Sequence, residues 1–466
     1  MAAKLTIIGS GPGGYVAAIR AAQQGTQVTI IEDDEVGGTC LNRGCIPTKT
    51  LIASAEALES TRRAADFGIE IPGEVGYNHA KILDRKNKVV ETQVKGIRSL
   101  FRSWDIRLIE GRGVLHSAEA VRIVQKDGTT LDVKSDRVII ATGSRPARLP
   151  LFPFDGETVI TSNEAVQLTS IPKSICIVGA GVIGCEFAFI YRTLGSDVTM
   201  VEMLPRVLST EDEEMSGLIA REMKKAKIKI HAGVKIEAVE KTSDGIVRSR
   251  LSDGKEVSSE MVLVSIGRAM NTEEIGLEGA GVKKGKRGEI AVNEKMETSV
   301  PGIYAIGDVT GTVMLAHVAS HQGLVAVENA LGGDAAMDYA VIPSGIFTMP
   351  EVGSVGLREH EAVEKGIAVN VGRFPFRGLA KAHAMGSITG MAKVISDHTT
   401  DKVLGVHICG PHATDLVHEG ALAISTGTTA RELGRMIHAH PTLAEAVMEA
   451  AEDTHGMAIY VPRPSS

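Results

Sequence analysis

The chain has 466 residues, 43% hydrophobic and 23% charged, with a formal net charge of -7. That length exceeds what one hydrophobic core supports and implies two to four domains, while the ordinary composition excludes disordered and collagen-like classes. The acidic balance offers no broad basic field for nucleic acid, and five cysteines (Cys40, Cys45, Cys176, Cys185, Cys409) are too sparse for a secreted disulfide scaffold, so a cytoplasmic protein is expected.

The first strand-like run, Lys4 to Ile8, begins almost at the first residue and leaves no room for a signal peptide. No stretch approaches ~18 uninterrupted apolar residues, so the sequence reads as neither exported nor membrane-spanning. From Leu5 to Glu32 the chain reads LTIIGSGPGGYVAAIRAAQQGTQVTIIE, and from Ile175 to Glu202 it reads ICIVGAGVIGCEFAFIYRTLGSDVTMVE, a duplication at an offset of 170 residues. Each copy is an apolar strand, three glycines, a helical pattern and a second strand ending in glutamate. Gly9, Gly11 and Gly14 correspond to Gly179, Gly181 and Gly184, and Glu32 corresponds to Glu202.

One GxGxxG is weak evidence, but two copies, each after a strand and each followed 23 residues on by glutamate, predict two dinucleotide-binding βαβ units. The helix N-terminus offers unpaired N–H groups to a pyrophosphate, and the glutamate accepts hydrogen bonds from an adenosine ribose. At Glu202 a 2′-phosphate would meet carboxylate repulsion, which favours NAD over NADP. Two dinucleotides on one chain point to electron transfer between a flavin and a nicotinamide.

Between the first copy and the next helix lies Gly37-Gly-Thr-Cys40-Leu-Asn-Arg-Gly-Cys45-Ile-Pro-Thr-Lys49. Five residues of regular helix rise about 7.5 Å, beyond the roughly 7 Å that a disulfide spans, so the segment must be distorted if Cys40 and Cys45 bridge. Gly44 supplies freedom, and Pro47 is tolerated only in a first helical turn, which predicts a helix starting near Cys45 and a thiol at its positive end. A zinc site lacks a second ligand pair. Cys176, Cys185 and Cys409 read as packing residues.

Further along, Pro146, Pro150 and Pro153 suggest a linker, and Thr210 with Glu213 suggests a helix-capping box. Lys224, Lys225, Lys227 and Lys229 read as a solvated helix end. After Pro343, strand-like runs at Gly345 to Phe347, Ala368 to Phe376, Ala392 to Ser396 and Lys402 to Ile408 predict a separate C-terminal α+β domain. The fold class is therefore α/β, with two Rossmann-like dinucleotide-binding domains and a C-terminal α+β domain, over expected bounds of 1–145, 146–270, 271–343 and 344–466.

GGTCLNRGCIPTK, both glycine fingerprints, Ala141-Thr142-Gly143, Ile306-Gly307-Asp308 and His438-Ala-His440-Pro-Thr-Leu-Ala-Glu445 together resemble the dihydrolipoamide dehydrogenases of the FAD-dependent pyridine nucleotide–disulfide oxidoreductase family. The resemblance runs the length of the chain, with Arg43 and Thr48 where many members have valine and serine. It implies FAD at the first fingerprint, with Glu32, Thr39, Lys49, Gly113, Thr142, Gly143, Asp308, Ala316 and His317. It implies NAD at the second, with Glu186, Glu202, Gly267 and Arg268, and Glu186 paired to Lys49. It implies further that 1–145 and 271–343 are the two parts of an FAD-binding domain, 146–270 the NAD-binding domain and 344–466 the interface (dimerisation) domain. A homodimer is implied, in which His440, held by Glu445, acts as base for the Cys40–Cys45 disulfide of the other subunit, His438 being the rival base. Cys40 would exchange with substrate and Cys45 face the flavin. The implied activity is NAD-dependent oxidation of dihydrolipoamide carried on a lipoyl domain or lipoyl carrier protein of a 2-oxo acid dehydrogenase or glycine cleavage complex. Glutathione reductase and mercuric reductase share the cysteine spacing. Glu202 opposes the first, and a chain ending in Tyr460-Val-Pro-Arg-Pro-Ser-Ser466 without a cysteine pair opposes the second. A redox-sensing docking component is the reading from another class.

Overall fold

Apolar runs without alternation suit strands covered on both faces, and two parallel sheets are built from such runs. The computed structural model describes residues 3–117 and 119–462. The chain divides into two compact units, one made of Met1–Leu51, His79–Arg148 and Gly267–Asp338, the other of Ile52–Asn78, Leu149–Ile266 and Tyr339–Ser466.

In the first unit the sheet runs Ile303–Ala305, Arg137–Ile140, Lys4–Ile8, Gln27–Glu32, Arg107–Glu110, every neighbouring pair parallel. Leu5 faces Val28 and Ile7 faces Ile30 across the central ladder. Helix Pro12–Gln23 returns the chain between these strands and buries Ala17, Ala18 and Ala21. A three-stranded antiparallel meander, Arg112–Ser117, Ala120–Val124 and Thr130–Lys134, shares a core with the sheet through Ile8, Ile31, Leu115, Val121 and Ile123.

The second unit repeats the plan. Its parallel sheet runs Lys229–Ala232, Asp197–Glu202, Ser174–Val178, Met261–Val264, Val159–Ile160, and again a three-stranded meander (Ile236–Lys241, Val247–Leu251, Glu256–Ser259) is inserted before the fourth strand. The outermost strand differs in origin: Val159–Ile160 precedes its sheet in the chain, whereas Ile303–Ala305 follows. The same unit carries an antiparallel sheet in the order Ser344–Ile346, Glu351–Gly356, Val403–Gly410, Met391–Asp397, Val369–Pro375. Helices Ala413–Thr426, Ala430–Arg435 and Glu445–Asp453 join it around Phe374, Val406, Val417, Leu433 and Val447.

Three details depart from sequence expectation. Strand Glu351–Gly356 carries two glycines after a proline and gives no strand signal, yet a Cβ at Gly353 would lie 2.2 Å from the Ala413 carbonyl oxygen, so packing by the following helix demands the glycine. The Thr210–Glu213 capping box does not form: helix Glu213–Lys225 is capped by Asp212, which accepts from the Glu214 N–H at 3.0 Å. Asp212 wins because its other oxygen is fixed, 2.9 Å from the buried Lys393 ammonium. Finally, Ser144–Pro146, within the expected linker region, is a short strand paired antiparallel with Arg268–Met270. Among the described residues, no helix is long and apolar enough to cross a membrane.

Candidate active site

The two glycine turns are built alike because each must bring a helix against a strand without side chains between them. A Cβ on Gly14 would lie 2.0 Å from the Gly9 carbonyl oxygen, and one on Gly184 would lie 2.0 Å from that of Gly179. Gly9 and Gly179 have φ of 103° and 98°. Gly11 and Gly181 differ from these in having no atom within 4 Å of an added Cβ. Both cap helices without a side-chain hydrogen bond, which leaves N–H groups facing open space.

Each turn is tied to its glutamate in the same way. Glu32 accepts from the Ser10 N–H at 2.8 Å and the Asp34 N–H at 3.0 Å, while Glu202 accepts from the Ala180 N–H at 2.6 Å and the Leu204 N–H at 2.8 Å. The first site adds one bond, from the Ser10 hydroxyl to Glu32 at 2.6 Å. Burial pushes the Glu32 carboxyl above its usual range, against the pull of these bonds. Glu32 Oε1 and both oxygens of Glu202, each with one donor, keep a lone pair for a further one, whereas Glu32 Oε2 already takes two from Ser10.

Around the first site, Thr142 and Asn271 exchange two hydrogen bonds, Thr142 Oγ1 donating at 2.8 Å and Asn271 Nδ2 returning one at 2.9 Å to the Thr142 carbonyl. Gly143 has φ of 68°, and Gly113 lies against Ile8, where a Cβ would meet Cγ2 at 2.8 Å. Asp308 accepts from Ser144 Oγ. Arg268, expected on the NAD side, lies after Gly267 with its guanidinium turned onto Ser144, at 2.6 and 2.8 Å, and 3.5 Å from Asp308. Ala316 opens the helix Ala316–Ala330 and His317 is exposed. In the second unit Glu186 is buried and accepts from the Phe347 N–H at 3.0 Å.

The cysteine segment breaks as the proline and glycine require. Thr39 and Cys40 belong to a short helix, Gly38–Asn42; Arg43 and Gly44 leave helical geometry; and a long helix, Cys45–Arg62, starts at the second cysteine. Gly44 sits so close that an added Cβ would be 3.1 Å from the Thr39 carbonyl oxygen and 3.3 Å from Cys40 Cα. This fold in the chain brings Cys40 to the start of the second helix, against Cys45. The hydrogen bond to Cys45 pushes the Cys40 thiol up, burial adds to it, and the Lys49 ammonium pulls the other way. Lys49 lies one turn beyond Cys45 on the same helix face. Tyr15, raised by burial and then by the two sulfurs, lies beside them. Arg43 binds Asp34 through both terminal guanidinium nitrogens.

In the second unit, His440 Nδ1 lies 2.8 Å from Glu445 Oε1, and Glu445 Oε2 accepts from the Thr442 N–H at 2.9 Å. Burial would raise the Glu445 carboxyl, but that N–H and His440 hold it below the usual range. The His440 side chain is 67% exposed, leaving Nε2 outward, whereas His438 is 4% exposed with both ring nitrogens engaged. Only His440 of the two is placed to take a proton from an incoming group.

Residues 3–323 match the pyridine nucleotide-disulphide oxidoreductase family, and residues 342–451 match the dimerisation domain of the same family. The chain belongs to that family. It is 44% identical over 448 residues to dihydrolipoyl dehydrogenase of Chlamydia muridarum, covering 96% of this chain and 95% of that protein. It is 43% identical over 469 residues to the enzyme of that name from Bacillus subtilis, covering 98% of each. The crystal structure of LpdA from Mycobacterium tuberculosis superposes with a TM-score of 0.91 at 30% identity, over 97% of this chain and 99% of that one. The HOCl-induced flavoprotein disulfide reductase RclA from Escherichia coli does so with a TM-score of 0.86 at 25% identity, over 96% and 99%.

As a pyridine nucleotide-disulphide oxidoreductase the protein uses FAD and NAD. The two cradles fit such groups, since Gly11 and Gly181 leave open the space that a pyrophosphate takes against uncapped helix ends. Sequence reasoning missed Ser10, Ser144, Asn271 and Tyr15. Ser10 was signalled by a hydroxyl inside the fingerprint; Asn271 and Ser144 are joined to the site by contacts over more than a hundred residues and carry no local signal.

Proposed function

We propose that this oxidoreductase acts as a dihydrolipoyl dehydrogenase, working through Cys40 and Cys45 with His440 as base. The observation that carries the reading is the helix break that brings Cys40 against Cys45 at the head of a helix in the first dinucleotide unit. The names of the full-length relatives support the substrate.

Only a thiolate attacks a disulfide. His440 Nε2 takes the proton of one substrate thiol, and Glu445 on Nδ1 fixes the tautomer and stabilises the resulting imidazolium. The substrate sulfur forms a bond to Cys40 Sγ, the Cys40–Cys45 bond breaks, and Cys45 leaves as thiolate at the helix N-terminus, one turn from Lys49. The second substrate thiol, deprotonated in turn, displaces Cys40 Sγ and closes the cyclic disulfide. The substrate has lost two electrons and two protons, and the cysteine pair holds the electrons. When bound, FAD accepts that electron pair and NAD carries it away as hydride.

We assign FAD to the first cradle with Glu32, Thr39, Lys49, Gly113, Thr142, Gly143, Asp308, Ala316 and His317, and NAD to the second with Glu186, Glu202, Gly267 and Arg268. The domain bounds are those expected from the sequence, with 344–466 forming the interface of a homodimer in which each subunit's His440–Glu445 pair serves the disulfide of the other. The physiological thiol is then a lipoyl group on a 2-oxo acid dehydrogenase or glycine cleavage complex, in the cytoplasm, where free thiols persist.

Anaerobic addition of dihydrolipoamide to the flavoprotein, followed by NAD, is expected to form NADH. Cys45→Ser is expected to lower that rate at least about 10³-fold, as loss of a nucleophile-pair member does elsewhere; an unchanged rate would overturn the disulfide mechanism.

A further inference from the structure

His440 sits in a loop, residues 436–444, with no helix or strand of its own, between helices Ala430–Arg435 and Glu445–Asp453. A general base there needs an anchor, because a base displaced by about 1 Å can lose on the order of 10²-fold in rate. The loop has one deep polar anchor. His438 turns inward, 4% exposed, while its neighbour Ile437 is 98% exposed. Its Nε2 lies 2.6 Å from Glu419 Oε1 on helix Ala413–Thr426, and its Nδ1 lies 2.9 Å from the Met436 carbonyl oxygen. The ring is therefore held at both nitrogens. His438 is also among the groups that hold the Glu445 carboxyl below its usual range.

Two His–Glu pairs thus stand two residues apart in the loop, one outward and one inward. We propose that His438–Glu419 is the positioning pair for His440–Glu445: it pins the loop to the helix behind it and sets where His440 Nε2 meets the substrate thiol, without touching substrate itself. The assignment rests on the thiol-exchange reading above.

The test compares His438→Ala, His438→Gln, Glu419→Ala, the His438→Ala/Glu419→Ala double variant and His440→Gln in the holoenzyme dimer. Dihydrolipoamide oxidation is measured beside NADH oxidation by ferricyanide, which requires no thiol base, and thermal midpoint and dimer mass are recorded. His438→Ala and Glu419→Ala are each expected to lower kcat about 10- to 100-fold, with KM moved less than about threefold. The double variant should be no worse than either, because the two act as a unit. His438→Gln, whose amide N–H can still reach Glu419, should recover most of the loss, and the ferricyanide rate should stay at the parent value. The proposal is overturned if His438→Ala keeps the parent kcat while His440→Gln loses it, if His438→Gln is no better than alanine, or if both activities fall together with dimer mass or thermal midpoint, which marks a purely structural role. If His440→Gln itself keeps the parent rate, the thiol-exchange reading falls, and the positioning role with it.

Discussion

Glu202 and Glu32 close their glycine turns with matching backbone hydrogen bonds, and what separates the two sites at this scale is one hydroxyl, that of Ser10, where Ala180 stands in the second. Neither carboxylate can be replaced without loosening its turn, so the NAD preference attributed to Glu202 is best tested by a change that keeps the shape. Glu202→Gln keeps the shape and one of the two backbone-facing acceptors, and removes the charge that repels a 2′-phosphate. The ratio of kcat/KM for NAD over NADP is expected to fall at least about tenfold, equivalent to about 1.4 kcal/mol of lost discrimination; an unchanged ratio in steady-state assays would remove the carboxylate from that role. Arg43, which stands where many members of the family have valine, also has a structural place, because it fastens the cysteine segment to Asp34 just beyond Glu32. Both groups are substantially exposed, so the pair contributes little to overall stability.

At the scale of single elements, the two glycine positions of each turn make opposite demands. Gly14→Ala sets a Cβ 2.0 Å from the Gly9 oxygen and must move backbone, so urea unfolding of the flavin-free protein should show about 1–3 kcal/mol of destabilisation. Gly11→Ala meets nothing in the protein and should cost less stability than Gly14→Ala while losing flavin on gel filtration, because its methyl occupies pyrophosphate space. Equal behaviour of the two variants would deny Gly11 a ligand-facing role. Elements of this kind were legible in the sequence because their causes are local: strand, glycine, helix and glutamate recur at fixed spacing, and Pro47 with Gly44 announces the helix that begins at Cys45. The strand Glu351–Gly356 was not legible, since its glycines answer to a helix sixty residues later. Nor was the cap at Asp212, chosen by a lysine 181 residues away. The paired His440 and Glu445 could be read from the family motif, but the inward partner of His438 could not, because Glu419 lies on a different helix.

Across the whole molecule, one row of polar residues crosses the antiparallel sheet from strand to strand: Ser354, His407, Lys393 and Arg373 are successive cross-strand neighbours. Lys393 reaches Asp212 at 2.9 Å and Glu214 and Glu359 at 2.6 Å, and Arg373 holds the same two glutamates. Burial alone would raise the Asp212 carboxyl, but the Lys393 ammonium holds it below the usual range; burial alone would lower Lys393, but its three carboxylates raise it. A depressed carboxyl contributes stability above its unfolded value of about 3.9 and loses it as pH falls through the folded value. A raised lysine contributes below about 10.4 and loses it as pH rises beyond. The network is therefore at full strength through neutral pH and fails first on the acid side. Lys393→Met should cost about 3–5 kcal/mol at pH 7, because it leaves Asp212 buried without a counter-charge, and the penalty should shrink as pH drops below about 4. A penalty independent of pH in thermal melts would show that packing, not charge, is what Lys393 provides. The discontinuity of the first unit has a consequence for biosynthesis. The parallel sheet of the second unit draws all its strands from Leu149–Ile266, while that of the first awaits Ile303–Ala305. As the chain leaves the ribosome, the sheet encoded second is complete first, and the one that opens the sequence closes only after more than half of the protein has emerged.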